Sequence, residues 1–157
     1  FWSIENAHIG PLPAQAIDVW VGASAPAAIN RSARLAEGWL GTPATSPLQA
    51  KEQLNQYRQA CAEHDRQPNA VALRRDIFIA GSAKAAADFK STAVAKGYRG
   101  FPEEALVCGE AGAVAEQFAD FAEAGFTDII VRNMSSDQSQ ALATIEALSE
   151  VRRQLGW

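Results

Sequence analysis

The chain has 157 residues, 48% of them apolar and 20% charged, which is the composition of a folded globular protein with enough apolar mass for one packed core. Fourteen basic against eighteen acidic residues leave a net charge of -4 with no basic stripe, which argues against a nucleic-acid backbone or an anionic membrane surface as partner. No apolar run approaches the ~20 residues that span a bilayer, and no charged-then-apolar leader opens the sequence.

In chain order, Phe1-Trp2-Ser3-Ile4-Glu5-Asn6 starts abruptly on two aromatics, as at a cut edge. Residues 1–16 read as a leader in which Pro11-Leu12-Pro13 imposes an extended path. Ile17-Asp18-Val19-Trp20-Val21, rich in β-branched and aromatic residues, predicts the first core strand. Gly22-Ala23-Ser24 ends it, and Ala25 to Ala36 predicts a helix with Ile29, Ala33 and Ala36 inward and Pro26 in its first turn. Gly38-Trp39-Leu40-Gly41 predicts a second strand. A loop then leads to Ser46 as N-cap of a helix running to about Glu63, with Leu54, Tyr57 and Cys61 on one stripe.

Beyond the Gln67-Pro68-Asn69 turn, Val71 to Ala80 predicts the third strand and Ala83 to about Lys96 an Ala-rich helix. Gly97 to Gly112 has no clean period and reads as a long loop or a helix-bearing insertion. Ala113 to Ala124 returns to helical spacing with Val114, Phe118 and Phe121, and Gly125 stops it. Asp128 to Val131 predicts the fourth strand, with Arg132-Asn133 at its C-terminal end. Leu142, Ile145, Leu148, Val151 and Leu155 are expected to line the last helix.

Short apolar strands alternating with helices predict a parallel α/β sheet with right-handed crossovers, four βα units over residues 17–157. The pattern fits a small doubly wound sheet or half of a (β/α)₈ barrel, since a whole barrel needs roughly 250 residues. Cys61 and Cys108 lie far apart with no CxxC or His companion. They read as buried thiols in a reducing cytoplasm, with no disulfide and no metal site.

The segment from Val19 to Ile29 carries the clearest chemistry, because a strand meets a helix there through three small residues. Small side chains let a phosphate reach backbone amides, the helix N-terminus offers unpaired donors, and Ser24 adds a hydroxyl. The bland alternative is an ordinary tight turn with Ser24 capping the helix. Other residues have plain readings. His8 and His64 are expected to be exposed and non-catalytic. Arg74-Arg75-Asp76 interrupts an apolar strand, which favours a structural ion pair over an anion contact. Arg132 ends the last strand, where a cation meets a ligand oxygen, caps the strand end or pairs at the surface. Gly109-Glu110-Ala111-Gly112 is a plain helix start, with no strand expected before it. Trp20, Trp39 and Phe78 are expected in the core.

Residues Ile17 to Gly41 resemble luciferase-like monooxygenases, through the apolar Trp20-Val21-Gly22 strand, Ser24-Ala25-Pro26-Ala27-Ala28-Ile29, and Arg31-Ser32-Ala33-Arg34-Leu35-Ala36-Glu37-Gly38-Trp39-Leu40. The likeness extends through Leu73 to Ala80 and Gly125 to Arg132, and into Phe1-Trp2 and Pro11-Leu12-Pro13-Ala14-Gln15. It implies strands 5–8 of a TIM (β/α)₈ barrel, the C-terminal half, as one partial domain over residues 1–157. It also implies a flavin- or F420-dependent oxidoreductase in which the loop after the fifth strand holds the phosphate of FMN, or alternatively of F420. That role falls on Gly22, Ala23 and Ser24, with Gly41, Thr42 and Arg132 as further site candidates and no residue fitted for a catalytic acid or base. Ala23 stands where a second Gly is common and Glu37 where Asp is common. The resemblance further implies a small organic substrate. The first four strands are not in this sequence, so the expected partner is a missing N-terminal half-barrel or a second copy. The competing expectation is a non-catalytic half-barrel that only associates.

Overall fold

The computed structural model describes residues 3, 5–8 and 10–156; the Phe1-Trp2 part of the resemblance lies outside them. Five parallel strands form one sheet: β1 Trp20–Gly22, β2 Gly38–Gly41, β3 Ala70–Ile79, β4 Leu106–Gly109 and β5 Asp128–Asn133. Five helices separate or follow them: α1 Pro26–Leu35, α2 Pro47–Glu63, α3 Ala83–Ala95, α4 Ala111–Ala124 and α5 Gln138–Leu155. β1, β2 and β3 pair in chain order and β5 takes the other edge of β3, through Ala72↔Asp128 to Ile77↔Asn133. β3 is long enough to serve two neighbours on one edge, with Ala70–Leu73 pairing β2 and Asp76–Ile79 pairing β4. The order β1-β2-β3-β5 is that of four successive strands of a parallel barrel, with β4 an addition at the C-terminal end of β3.

The register divides the sheet into two faces, because paired residues share a side and alternate residues change it. Trp39, Val71, Leu73, Ile77, Ile79, Val107, Ile129 and Val131 pack with Leu54, Tyr57, Phe118, Phe121 and Val151 in the main core under the helices. Trp39 is fully buried, stacked on Tyr57 with ring centres 5.2 Å apart, and its indole N–H donates to the Ala23 carbonyl at 2.9 Å. The opposite face carries Trp20, Gly38 and Ala70 in one layer, Gly22, Leu40, Ala72 and Asp128 in the next, then Arg74 with Ile130, then Asp76 with Arg132. This inner face stays partly open: Trp20 is 37% and Ile130 41% exposed.

The helix stripes on Ile29 and Ala33, on Leu54, Tyr57 and Cys61, and on Val114, Phe118 and Phe121 are buried, and Gly125 ends α4 in the left-handed region at φ 103°. Ser46 caps α2, as the sequence implies, and Gln49 returns the bond to the Ser46 amide to complete a capping box. Several expectations need correction. The first strand begins at Trp20; Ile17 and Val19 are exposed, because β1 is an edge strand with no sheet beyond it among the described residues. Trp20 lies on the open face and not in the core, whereas Trp39 and Phe78 are buried. The 97–112 stretch holds two 3₁₀ turns and a fifth strand, so Gly109-Glu110-Ala111-Gly112 does follow a strand, and α4 starts at Ala111. On α5, Leu142 and Ile145 face outward and Thr144 is buried instead, bonding the backbone of Ile79. Cys61 and Cys108 are free thiols, with burial pushing Cys108 up to about 11. No described helix is long and apolar enough to cross a membrane.

Arg75 is the anomaly of the core. It is fully buried on the helix side of β3, over the Phe121 ring at 4.8 Å, and its Nε and Nη2 have no partner among the described residues. Burial pulls its guanidinium down to about 10 from 12.5, against smaller opposing effects of Tyr98 and Asp76. A buried cation so poorly compensated is more costly than an apolar residue of similar length. Arg75→Met is therefore expected to raise the urea-derived stability by about 2 kcal/mol at pH 7. Between pH 10 and 12.5 the unfolded chain holds more protons at this position than the folded one, so the wild type gains stability as pH rises. The advantage of Arg75→Met should accordingly shrink above pH 10 when the two proteins are compared side by side.

Candidate functional site

The C-terminal ends of β1 and β2 open into a cavity of about 450 Å³, lined by Gly22, Ala23, Ser24, Gly41, Thr42 and Arg74 among others. Five of the six positions singled out in the sequence therefore meet at one place. The turn from β1 into α1 is built of residues too small to fill it. A Cβ added at Gly22 would meet only the Leu40 carbonyl oxygen, at 3.9 Å. Ala23 is anchored, its amide donating to Leu40 at 3.2 Å and its carbonyl accepting from Trp39. The Ala23 amide is thus spent within the sheet and is not free for a ligand.

The N-cap of α1 is Ala25, with no side-chain cap and Pro26 at the first helical position. Ser24 does not cap the helix; its carbonyl accepts from the Gln53 side chain at 3.2 Å, and its hydroxyl has no partner among the described residues. The amides of Ser24, Ala25 and Ala27 likewise donate to no protein acceptor among the described residues, while Ala28 and Ile29 both donate to the Ala25 carbonyl. Unpaired amides at a helix N-terminus attract an anion. No acidic residue occupies the first turn of α1 to repel one. Glu37, where Asp is common in the resemblance, accepts from the Val19 amide at 2.9 Å and so ties the approach to β1.

Among the described residues, Arg74 is the only charged side chain in the lining of this cavity. The sequence alone favours an ion pair for it. The pair exists, Arg74 Nη2 lying 3.7 Å from Asp76 Oδ1, but the guanidinium also walls the cavity. Strand alternation is the signal that finds it, since Arg74 and Asp76 share the inner face and Arg75 the other. Arg132 is not part of this cavity. It sits one strand away, 4.0 Å from Asp76 Oδ2, because the register pairs it with Asp76. Asp76 is fully buried and also receives Arg99 at 3.3 Å and the Tyr98 hydroxyl at 3.5 Å. Tyr98 and Arg99 both have positive φ, and sequence reasoning did not single them out. Burial, with Asp76 adding to it, pushes the Tyr98 phenol up to about 12, so it is a donor at neutral pH.

His8 is exposed, and His64 is half-buried at the end of α2, its Nε2 3.2 Å from Asn30 Oδ1. Neither lies in the cavity. Among the described residues no group of three or more His, Cys, Asp or Glu could hold a metal ion.

Residues 1–102 match the family model described as luciferase-like monooxygenase. No curated protein matches the sequence at a significant level. Among solved structures, the chain resembles an F420-dependent secondary alcohol dehydrogenase in complex with an F420-acetone adduct, at 15% identity and a TM-score of 0.69, over 91% of this chain and 50% of that one. A monooxygenase from Streptomyces bottropensis gives 18% identity and a TM-score of 0.69, over 85% and 46%. The oxygenating constituent of a type II Baeyer-Villiger monooxygenase from the CAM plasmid of Pseudomonas putida, in complex with FMN, gives 18% and 0.57, over 79% and 45%. The chain spans about half the length of these proteins, and the likeness establishes a half-barrel fold.

Proposed function

Because the chain belongs to the luciferase-like monooxygenase family, we propose that it supplies the cofactor-phosphate-binding half of a flavin-dependent oxidoreductase acting on a small organic substrate. FMN is the proposed cofactor and F420 the alternative; solved relatives are described with one or the other. The single observation that carries this reading is the pair of unpaired amides at Ser24 and Ala25 in the lining of a cavity whose one charged side chain among the described residues is Arg74. The donor set fits a phosphate: the Ser24 and Ala25 amides, the Ser24 hydroxyl and a guanidinium, with Gly22 leaving room for close approach. Gly41 and Thr42 close the other side, and Arg132 is assigned to the ring or substrate end of the inner face. The cofactor, when bound, supplies the redox chemistry; these residues hold and orient it. The free thiols suit a cytoplasmic setting.

The exposed Trp20 and Ile130 on the inner face favour a partner there, either an N-terminal half-barrel or a second copy. The same observation supports the second reading, a half-barrel that associates without binding cofactor. Titrating FMN and riboflavin into the chain and following flavin fluorescence separates the two. A phosphate held by charge-assisted bonds is expected to make FMN bind at least ~10-fold more tightly than riboflavin. Equal affinities would discard the phosphate assignment, and a concentration-dependent dimer indifferent to both would favour association alone.

A further inference from the structure

A second cavity, of about 380 Å³, lies between α3, the Tyr98–Gly100 turn and the loop that follows β5, and the phosphate reading does not use it. Its walls include Phe89, Lys96, Tyr98, Arg99, Met134 and Ser136. The apolar part is firm, since Phe89 stacks on the buried Phe78 with ring centres 3.8 Å apart and Met134 packs against the Tyr98 cluster. Its cationic part is under-compensated. Arg74, Arg99 and Arg132 all reach the same carboxylate, Asp76, at 3.7, 3.3 and 4.0 Å, and no other carboxylate among the described residues pairs with any of them. One negative charge therefore faces three positive ones. Each guanidinium remains a third to a half exposed, with donors to spare.

Arg99 is the member that turns toward the second cavity. It is fixed there from two sides, by its bond to Asp76 and by stacking over Phe101 at 4.5 Å. Lys96, at the end of α3, adds a further cation to the wall. Asp137, the one acid in the lining among the described residues, is occupied elsewhere, capping α5 through the Gln140 amide at 2.9 Å and accepting from Ser139. A fixed guanidinium and an ammonium over aromatic and thioether walls match an oxyanion with an apolar body. We propose that this cavity binds a small organic acid, its carboxylate on Arg99 and Lys96 and its body against Phe89 and Met134. The site does not depend on the flavin reading.

Calorimetric titration of the 157-residue chain with benzoate, at low salt, tests it. Benzoate should bind, weaken as salt is added, and lose at least ~10-fold in affinity in Arg99→Gln. Lys96→Gln, exposed and independent of Asp76, guards against a folding defect in the first variant and should weaken binding at least ~3-fold. Inorganic phosphate, which lacks the apolar body, should bind at least ~10-fold more weakly than benzoate. Saturating FMN should leave the benzoate affinity unchanged, since the two ligands occupy different cavities. No benzoate binding, wild-type affinity in both variants, phosphate binding as tight as benzoate, or displacement of benzoate by FMN would each overturn the assignment. A chain that binds benzoate in this way yet ignores FMN would keep the acid site and refute the cofactor reading.

Discussion

Gly22→Glu is expected to cost at least ~100-fold in FMN affinity while leaving riboflavin binding and the melting temperature nearly unchanged. The backbone can accept the substitution: Gly22 does not have positive φ, and a Cβ there meets nothing closer than the Leu40 carbonyl oxygen at 3.9 Å. The damage falls on the ligand. A glutamate at this position brings a carboxylate to the mouth of the cavity, where it competes for the free amides of Ser24 and Ala25 and for Arg74. Like charges brought together cost several kcal/mol, and each 1.4 kcal/mol is a factor of ten. Gly22→Ala supplies the control, since a methyl group fits and carries no charge; it should stay within about threefold of wild type. Flavin fluorescence quenching with FMN and riboflavin in parallel decides the matter. A selective loss of FMN locates the phosphate at this corner, whereas an equal fall for both flavins means the glutamate has only distorted the turn.

The phosphate corner was legible because its parts are local in sequence. Gly22, Ala23 and Ser24 follow one strand, Gly41 and Thr42 end the next, and adjacent parallel strands bring successive C-terminal loops together. Arg74 required the register, since only strand alternation tells that it and Asp76 share a face while Arg75 turns to the other. Arg132 ends its strand on the face the sequence implies, but its ion pair with Asp76 needs the register, because nothing local shows that Asp76 lies beside it. The first strand is shorter and more exposed than its composition suggests for a physical reason: Ile17, Val19 and Trp20 have the make-up of a covered strand, but β1 is an edge strand and Trp20 lies on the open face. β4 escaped notice because Leu106-Val107-Cys108-Gly109 is too short to show a period, and its pairing with the far end of β3 is purely tertiary. On α5 the apolar positions at Leu142 and Ile145 suggested a wider inner stripe than the sheet covers, and a hydroxyl, Thr144, took the buried place by bonding the end of β3.

Asp76→Ala is expected to lower stability by about 3 kcal/mol, a fall in melting temperature of roughly 6–12 °C for a chain of this size. Asp76 is fully buried and holds three guanidiniums and a phenol in one arrangement; removing it leaves Arg74, Arg99 and Arg132 facing one another, and the Tyr98 hydroxyl without its acceptor. The arginines are partly exposed, so water and salt take up some of this repulsion, which places the loss at the lower end of what breaking a buried pair costs. Asp76→Asn should be milder, because an amide still accepts from Arg99 and Tyr98 although the charge is gone. In ~1 M salt, where charges are screened within about 3 Å, the deficit of Asp76→Ala should shrink while that of a purely apolar truncation would not. The neighbouring substitution Arg75→Met is expected to move stability in the opposite direction, although the two residues are adjacent in sequence. The difference lies in the face of the sheet: Asp76 is a scarce acid among bases on the open side, and Arg75 a cation with no acid partner on the packed side. A urea series in which both substitutions lowered stability alike, or in which Asp76→Ala changed it by less than about 0.5 kcal/mol, would show that Asp76 does not hold the basic cluster together and that its convergence on the inner face has another cause.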